Sequence, residues 1–285
     1  MRFTHGSIIL FVFMTMLSAG PVLAQQRPLV TEDPETIGAG RILVEGGLTL
    51  ERDATYPVSG LTGNRIAIPT LGVSIGLSSI VEVQFDGGFY QRLSVTESEP
   101  APLSGVLTFD GDETSGPEDL VIATKIRVLA EAGSRPAIGL RFATKLPTAS
   151  NESGLGHDMM DFHASLLVAK TVQSVRVVGN AGFAIAGDPT AVVAPEQNDL
   201  VTYGVSLARA MTTSAELVGE ITGRVNTAEI IDPGAENRAL FRFGGRYTRG
   251  AVRVDAGLLI GLTSRDPELG VTVGFTWVLD AFRVP

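Results

Sequence analysis

The amino-acid sequence predicts an all-β fold, namely a single antiparallel transmembrane β-barrel of about 12 strands. Three observations predict this fold. Long segments alternate strictly between apolar and polar residues, and the connections between these segments alternate between short and long. In addition, the polar phase carries charged residues that a dry protein core would not accept. No helix is expected between the alternating segments.

The first residues of the chain precede the predicted barrel. Arg2 and His5 come before the apolar stretch Ile8–Leu17, and small residues follow up to Ala24. This pattern is typical of a cleaved signal peptide, and the apolar stretch is shorter than the roughly 20 residues of a membrane-spanning helix. We therefore predict a signal peptide over 1–24, an extended N-terminal segment over 25–40 and an outer-membrane barrel over 41–285.

Composition and charge exclude several classes of protein. The formal net charge is −9, which is unlike the basic surface of a nucleic-acid-binding protein. The chain has no cysteine, so disulfides, a lipoprotein anchor and thiolate metal sites are excluded, and neither a cofactor nor a metal is expected. An exported chain without a helical anchor is either a soluble periplasmic protein or an outer-membrane barrel. We predict the bacterial outer membrane, with its lipid as a partner, and leave the oligomeric state open.

The alternating segments are long for strands. Most cover about 11 to 16 residues, whereas strands of soluble domains average about 5 to 6 and tilted membrane-crossing strands need about 9 to 11. This length favours a membrane barrel over a large soluble sandwich. The predicted strands lie near 41–52, 64–77, 79–94, 118–131, 136–147, 159–170, 174–187, 199–210, 214–226, 237–248, 250–263 and 269–281.

The predicted connections differ in length on the two sides of the barrel. Short turns are expected at 76–79, 131–135, 170–174, 211–214 and 248–250. Longer loops are expected at 53–63, 96–117, 147–158, 188–198, 227–236 and, more modestly, 264–268. Short turns at one rim and long loops at the other are typical of outer-membrane barrels, with both termini on the short-turn side.

One phase of each strand is predicted to face lipid. In the segment 79–95, the outward phase contains Val81, Val83, Phe85, Phe89 and Leu93, and the inward phase contains Glu82, Gln84, Asp86, Tyr90 and Arg92. In other strands, the outward phase contains Ile42, Val44, Leu48, Leu50, Ile138, Leu140, Phe142, Val175, Val177, Phe183, Ile185, Phe241, Phe243, Tyr247, Val271, Val273, Phe275 and Trp277.

The other phase is predicted to face a polar lumen. Its candidate lumen-lining residues are Glu45, Glu82, Asp86, Arg92, Lys125, Arg127, Arg141, Asp161, His163, Arg176, Glu216, Glu220, Arg238, Arg242, Arg246, Arg253 and Asp255, and their phase also contains Glu51, Lys145, Arg224 and Asp280. If neighbouring strands pair in sequence, Glu216 lies near Arg246 and Glu220 lies near Arg242. Such pairs would narrow the lumen. The surplus acidic residues, among them Glu32, Asp33 and Glu35, belong to the loops and the N-terminal segment.

Three segments resemble a known family. They are Arg27–Gly38, the strand-turn-strand Gly76–Val83, and Lys145–Thr148 with Gly154–Gly156. In these segments the chain resembles the MetA-pathway phenol-degradation family of outer-membrane transporters. The resemblance implies a β-barrel that passes small, often aromatic or hydrophobic, compounds, and it brings no catalytic residues with it. Many outer-membrane barrels end on an aromatic residue, whereas this chain ends three residues beyond Phe282.

Several residues suggest other chemistry, for which a structural role is the simpler interpretation. Asp161, His163 and Ser165 share a strand phase, as in a barrel-embedded lipid hydrolase, and His157–Asp158 is a second pair with less support. Residues 110–113 could offer oxygen ligands to Ca²⁺, and Arg238, Arg242 and Arg246 could bind an anion or form salt bridges.

The sequence thus predicts a porin-like conduit for a small-molecule solute and no enzyme. The alternatives are a structural or surface-interaction barrel without transport and, third, the lipid hydrolase.

Overall fold

The computed structural model describes residues 27–187, 197–229 and 231–283. The predicted signal peptide therefore lies outside the described residues. The described part consists of strands joined by turns and loops, and it contains no helix long and apolar enough to cross a membrane. The fourteen strands are β1 (Arg41–Tyr56), β2 (Leu61–Gly76), β3 (Val81–Gly88), β4 (Gln91–Ser98), β5 (Glu113–Gly116), β6 (Leu120–Leu129), β7 (Ala137–Leu146), β8 (Asp161–Val172), β9 (Val175–Gly187), β10 (Gln197–Ala210), β11 (Ala215–Asn226), β12 (Arg238–Arg249), β13 (Val252–Gly261) and β14 (Leu269–Asp280).

The strands form one closed antiparallel barrel. β1 pairs with both β2 and β14, so the sheet has no free edge at the point where the chain closes. The circumference of the barrel has twelve wall strands, although fourteen strands are numbered, because two of the wall strands are interrupted and each consists of two numbered strands. β3 and β4 pair with successive halves of β2 and act as one wall strand, and β5 and β6 act as another. The predicted fold class and strand number are confirmed.

The described connections agree with the predicted asymmetry, with two exceptions, and most of the expected loop 188–198 lies outside the described residues. β1 and β2 extend further than predicted, so the expected loop 53–63 is a four-residue turn, Pro57–Gly60. The expected loop 96–117 contains the short strand β5. We call the ends of the barrel the short-turn rim and the long-loop rim; the N-terminal end of β1 lies at the short-turn rim, paired with the C-terminal end of β14.

The outer surface of the barrel is apolar. Large side chains on the outward phase are about half exposed, for example Val205 at 55%, Phe183 at 55% and Phe142 at 50%. Charged side chains of the opposite phase are buried inside, and Lys125 is 0% exposed. This arrangement, apolar outside and polar inside, is the inverse of a soluble barrel and fits a lipid environment.

Four neighbouring wall strands contain β-bulges or interruptions between the middle of the wall and the long-loop rim. Two residues of β2, Ile68 and Pro69, lie opposite a single residue of β1, and β1 has its own bulge at Arg52–Asp53. The interruptions between β3 and β4 (Phe89–Tyr90) and between β5 and β6 (117–119) adjoin them. An extra residue reverses the side-chain alternation beyond it.

This reversal corrects part of the predicted face assignment. Leu93, predicted to face lipid, is 0% exposed and packs in an interior cluster with Ala54, Leu61 and Leu155. Its neighbour Arg92, predicted to line the lumen, lies on the opposite side of β4, where its side chain is 40% exposed and 3.6 Å from Glu113. The predicted phase was correct below the bulge at Phe89–Tyr90 and wrong above it.

Candidate lumen site

The lumen contains a segment of the chain itself. We call residues Arg27–Gly40 the N-terminal strap; they precede β1 and lie inside the barrel. The strap contacts wall strands around the lumen, beginning with the backbone N–H of Ile37, which donates to Glu82 on β3 (2.7 Å). Pro34 then packs on Gly139 of β7, where a Cβ added to the glycine would lie only 3.0 Å from the proline ring. The absence of a side chain at Gly139 therefore lets the strap approach the wall.

The middle of the strap is held by hydrogen bonds that resemble strand pairing. Asn180 on β9 accepts from the backbone N–H of Glu32 (2.7 Å) and donates to its carbonyl (2.8 Å). Glu220 on β11 accepts from the N–H groups of Val30 (2.9 Å) and Thr31 (2.8 Å), and also from the Thr31 hydroxyl (2.5 Å). Two wall side chains thus satisfy strap backbone groups that would otherwise be costly to bury.

The beginning of the strap reaches the β1–β14 seam. Arg27 donates to the hydroxyls of Thr70 (3.1 Å) and Thr272 (3.0 Å) and lies 3.5 Å from Asp255. The carbonyl of Arg27 accepts from Arg246 (2.6 Å). The strap therefore connects strands from opposite sides of the barrel.

The acidic residues of the strap neutralise basic wall residues. Glu32 lies 3.1 Å from Arg141 and 3.4 Å from Lys125. Asp33 forms a two-point ion pair with Arg176, and Glu35 pairs with Arg127. Buried charges need such partners, since an unpaired one costs several kcal/mol, on the order of the stability of a domain. The sequence analysis counted these acids with the surplus charge of the N-terminal segment and the loops, and it missed their lumenal role.

The structure places the sequence-predicted lumen residues as follows. The predicted cross-strand pairs are present, with Glu220 3.0 Å from Arg242 and Glu216 3.8 Å from Arg246. Of the candidates, all but Arg92 are on the inward face. His163 borders the cavities of the lumen. The others not yet placed have these partners: Glu45 with Thr276, Asp86 with Arg141, Asp161 with Lys145, Arg238 with the carbonyl of Thr55, and Arg253 with Glu216.

The space left in the lumen forms connected cavities. Two cavities of about 540 and 410 Å³ meet at His163, Arg141 and the strap. A third, of about 470 Å³, extends from His163 towards the long-loop rim. A smaller cavity of about 210 Å³ lies on the other side of the strap, next to Arg246 and Arg253. Strap residues Leu29 and Thr31 contribute to cavities on both sides, so the strap is the partition between them.

The residues suggested for other chemistry do not assemble into a compact site. Within the described residues no hydrogen bond links His163 to Asp161 or Ser165, and Asp161 is instead 2.9 Å from Lys145. At 110–113, Glu113 begins β5 and faces Arg92. No group of three potential metal-ligating side chains is found in the described part of the chain.

Comparisons with known proteins bear on the fold. No protein-family model and no curated protein matches this chain. Among solved structures, it is similar to an outer membrane channel from Pseudomonas putida F1, with 14% identity, 92% of this chain and 100% of that chain covered, and a TM-score of 0.61. It is also similar to the NanC porin, with 8% identity, 83% and 98% covered, and a TM-score of 0.50. These likenesses show the fold of outer-membrane β-barrels, whereas the more specific resemblance to the MetA-pathway family stays a prediction.

The prediction that the chain is not an enzyme requires correction. The barrel is also similar to LpxR from Salmonella typhimurium, an enzyme, with 10% identity, 83% of this chain and 99% of that chain covered, and a TM-score of 0.40. The exclusion of enzyme activity, which rested on the lack of a recognisable catalytic motif in the sequence, was wrong.

Proposed function

We propose that this protein is a narrow channel of the bacterial outer membrane that passes small solutes. The observation that carries the proposal is the series of cavities that share lining residues from the long-loop rim to the strap. The apolar outer surface supports the membrane location, and the barrel fold is one that channels use. In this arrangement the long loops face the cell exterior and the short turns face the periplasm.

The strap sets the narrowest point of the channel. It separates the three connected cavities from the smaller one near Arg246 and Arg253. Because Glu220 accepts three hydrogen bonds from Val30 and Thr31, it is the wall side chain whose loss would loosen the strap most directly. Ionic current through the barrel should therefore depend on this carboxylate more than on other lumenal carboxylates.

The solutes are proposed to be small and partly apolar, aromatic compounds included. Two features support this. The cavity at the long-loop rim is bordered by Val58, Leu155, Ala235 and Leu240 as well as by charged residues. Its volume of about 470 Å³ lies within the roughly 300–1,000 Å³ of sites that hold small organic molecules.

Reconstitution of the purified barrel in liposomes tests the proposal. We expect size-dependent uptake of small solutes, with compounds that carry an aromatic ring among those that enter. The absence of flux for every compound in the panel would contradict the channel and favour a structural barrel, and release of fatty acids from the lipid would favour a hydrolase.

Single-channel recordings then test the role of the strap. Glu220→Gln should raise the conductance or increase the time spent in higher-conductance states, because it weakens hydrogen bonds that hold the strap. The matched control is Glu51→Gln, since Glu51 is a lumenal carboxylate paired with Arg65 (2.8 Å) and accepts no hydrogen bond from the strap within the described residues. Equal effects of the two substitutions would show that the strap does not limit conduction.

A further inference from the structure

Two arginines of the lumen differ from the others in their partners. Arg224 on β11 and Arg238 on β12 have no carboxylate within 4.0 Å among the described residues. By contrast, the other described lumenal arginines, on the strap and on the wall, each have a carboxylate within that distance; they are Arg27, Arg65, Arg127, Arg141, Arg176, Arg242, Arg246 and Arg253. Among the described lumenal arginines, Arg224 and Arg238 are thus the two without a carboxylate within 4.0 Å.

The two arginines also lie next to each other. They are direct cross-strand partners in the β11–β12 register and face the same side of the sheet. Like charges in this arrangement repel each other, and such a pair is destabilising unless something compensates it. The structure keeps the pair together in the lumen, where a bound anion would provide that compensation.

The guanidinium groups retain free donors. Arg224 donates through Nε to the carbonyl of Glu236 (3.1 Å) and through Nη2 to the carbonyl of Gly234 (2.6 Å). Arg238 donates through Nη2 to the carbonyl of Thr55 (3.1 Å), and its buried Nε has no hydrogen-bond partner among the described residues. In each group, Nη1 likewise has no acceptor in the described part of the chain. The carbonyls fix the orientation of both groups but are neutral acceptors, and no carboxylate of the described residues lies within 4.0 Å of either guanidinium.

Two nearby carboxylates have partners other than these arginines, although the buried Oδ1 of Asp266 has no hydrogen-bond partner among the described residues. Asp161 is 2.9 Å from Lys145, and Oδ2 of Asp266 accepts from the backbone N–H of Ala239 (2.9 Å) and from the Thr263 hydroxyl (2.6 Å). Arg224 and Arg238 border both the cavity of about 410 Å³ and the one of about 470 Å³, together with Leu240. The two arginines therefore border space that also has an apolar boundary.

We propose that the Arg224–Arg238 pair is a binding site for the carboxylate of a small organic acid, with an aromatic ring against the apolar lining. A planar carboxylate matches guanidinium donors better than a spherical anion does, because it can accept from two N–H groups at once. This inference rests on the proposed channel function for its biological meaning, since it names the class of solute that the lumen would hold.

Binding is tested with benzoate as the probe and benzyl alcohol as its neutral analogue. For the purified barrel in detergent at constant ionic strength, benzoate should raise the thermal midpoint and bind measurably in calorimetry, whereas benzyl alcohol should not. Arg238→Gln should weaken benzoate binding by about tenfold or more, as expected for loss of a charge-assisted hydrogen bond. Arg224→Gln provides a second variant, and Arg92→Gln, on the outward-facing side of β4, is the control that should leave binding unchanged.

A structural role of the pair would give a different result. Because Arg238→Gln removes one of two repelling charges, the thermal midpoint of this variant without benzoate should be unchanged or raised. A lower midpoint of the variant together with unchanged benzoate affinity would overturn the site. Equal affinity of wild type and Arg238→Gln, or no binding to wild type, would also overturn it.

The site and the channel can fail separately. If wild-type liposomes take up solutes but benzoate does not bind, the site is wrong and the channel stands. If benzoate binds and no solute crosses the membrane, the channel is wrong and the site stands.

Discussion

The two sides of the barrel wall are built differently. From β7 to β14 the described strand pairs keep one register, and each residue's position in the alternation tells which face it occupies. From β1 to β6 the wall contains bulges and interruptions at Arg52–Asp53, Ile68–Pro69, Phe89–Tyr90 and 117–119. On this bulged side the alternation reverses before the strands reach the long-loop rim.

The comparison shows what the bulges achieve. Above them, apolar side chains such as Leu61 and Leu93 point inward and pack with Leu155 of a long loop. The loop is held there by the Ser59 hydroxyl, which donates to the carbonyl of Gly154 (2.7 Å), and by the Thr114 hydroxyl, which donates to that of Ser153 (2.7 Å). The bulged side thus gives the mouth a small apolar core, while the regular side keeps a polar inner face.

The largest effect is expected for Leu93→Ala on the bulged side. Leu93 is 0% exposed, so truncation should leave a cavity and lower the free energy of unfolding by about 2–5 kcal/mol. Arg92→Ala is the matched control and should change it by less than about 1 kcal/mol, because the Arg92–Glu113 pair is exposed. Denaturant unfolding in lipid vesicles measures both. A larger loss for Arg92→Ala would mean that the alternation is not reversed at Phe89–Tyr90.

On the regular side, Val205→Arg should be nearly as damaging. Val205 is 55% exposed on the outer face in the middle of β10, and a charge facing hydrocarbon there should cost about 2–4 kcal/mol. Val205→Leu keeps the site apolar and should fold like wild type. Folding yield into vesicles and heat-modifiable gel migration provide the measurement, and normal assembly of Val205→Arg would show that this face does not contact lipid.

The smallest effect is a pH dependence of the loop that covers the bulged side. Burial, assisted by Lys145, lowers the pKa of His157 from 6.5 to about 4, while Asp161 and Asp119 act in the opposite direction and Arg224 adds to the lowering. The closed loop therefore favours neutral His157. The contribution of neutral His157 to the stability of the closed loop is complete above pH 6.5 and is lost progressively as the pH falls towards 4.

Proteolysis of the loop measures this pH dependence. Relative to His157→Gln under the same conditions, wild type should be cleaved faster at about pH 5 than at about pH 7.5. At the lower pH, His157 takes up a proton when the loop opens, which favours the open loop in wild type alone. The ratio of the two cleavage rates corrects for the pH dependence of the protease. A ratio that does not change with pH would rule out His157 as the titrating group.

The regular side was predictable from sequence because its side chains alternate between the two faces of the wall with a period of two residues. The cross-strand pairs Glu216–Arg246 and Glu220–Arg242 follow from the alternation and the order of the strands alone. On the bulged side, one additional residue reverses the face on which every later residue of the strand lies. The residue types around a bulge indicate its position only weakly. Pro69, which cannot donate to a strand ladder, was the available signal for the bulge in β2.

The strap could not be predicted by the same reasoning. Its residues show no alternation, and acids such as Glu32 and Asp33 are also common in exposed segments. What fixes their position is long-range charge pairing with Arg141 and Arg176, which depends on the closed barrel. The absence of a carboxylate partner for Arg224 and Arg238 among the described residues is likewise a property of the three-dimensional arrangement.

The contacts of the strap also constrain the order of folding. Arg27 hydrogen-bonds to Thr272 and to the carbonyl of Val273, which lie 245 and 246 positions later in the sequence. Such contacts are among the least local that this chain can make, and they form only after the last strand has joined the wall. We therefore expect strap docking to be a late kinetic step, observable as a separate slow phase after secondary structure is complete. A barrel that has not yet closed would lack these bonds and would differ from the mature protein in its resistance to denaturant.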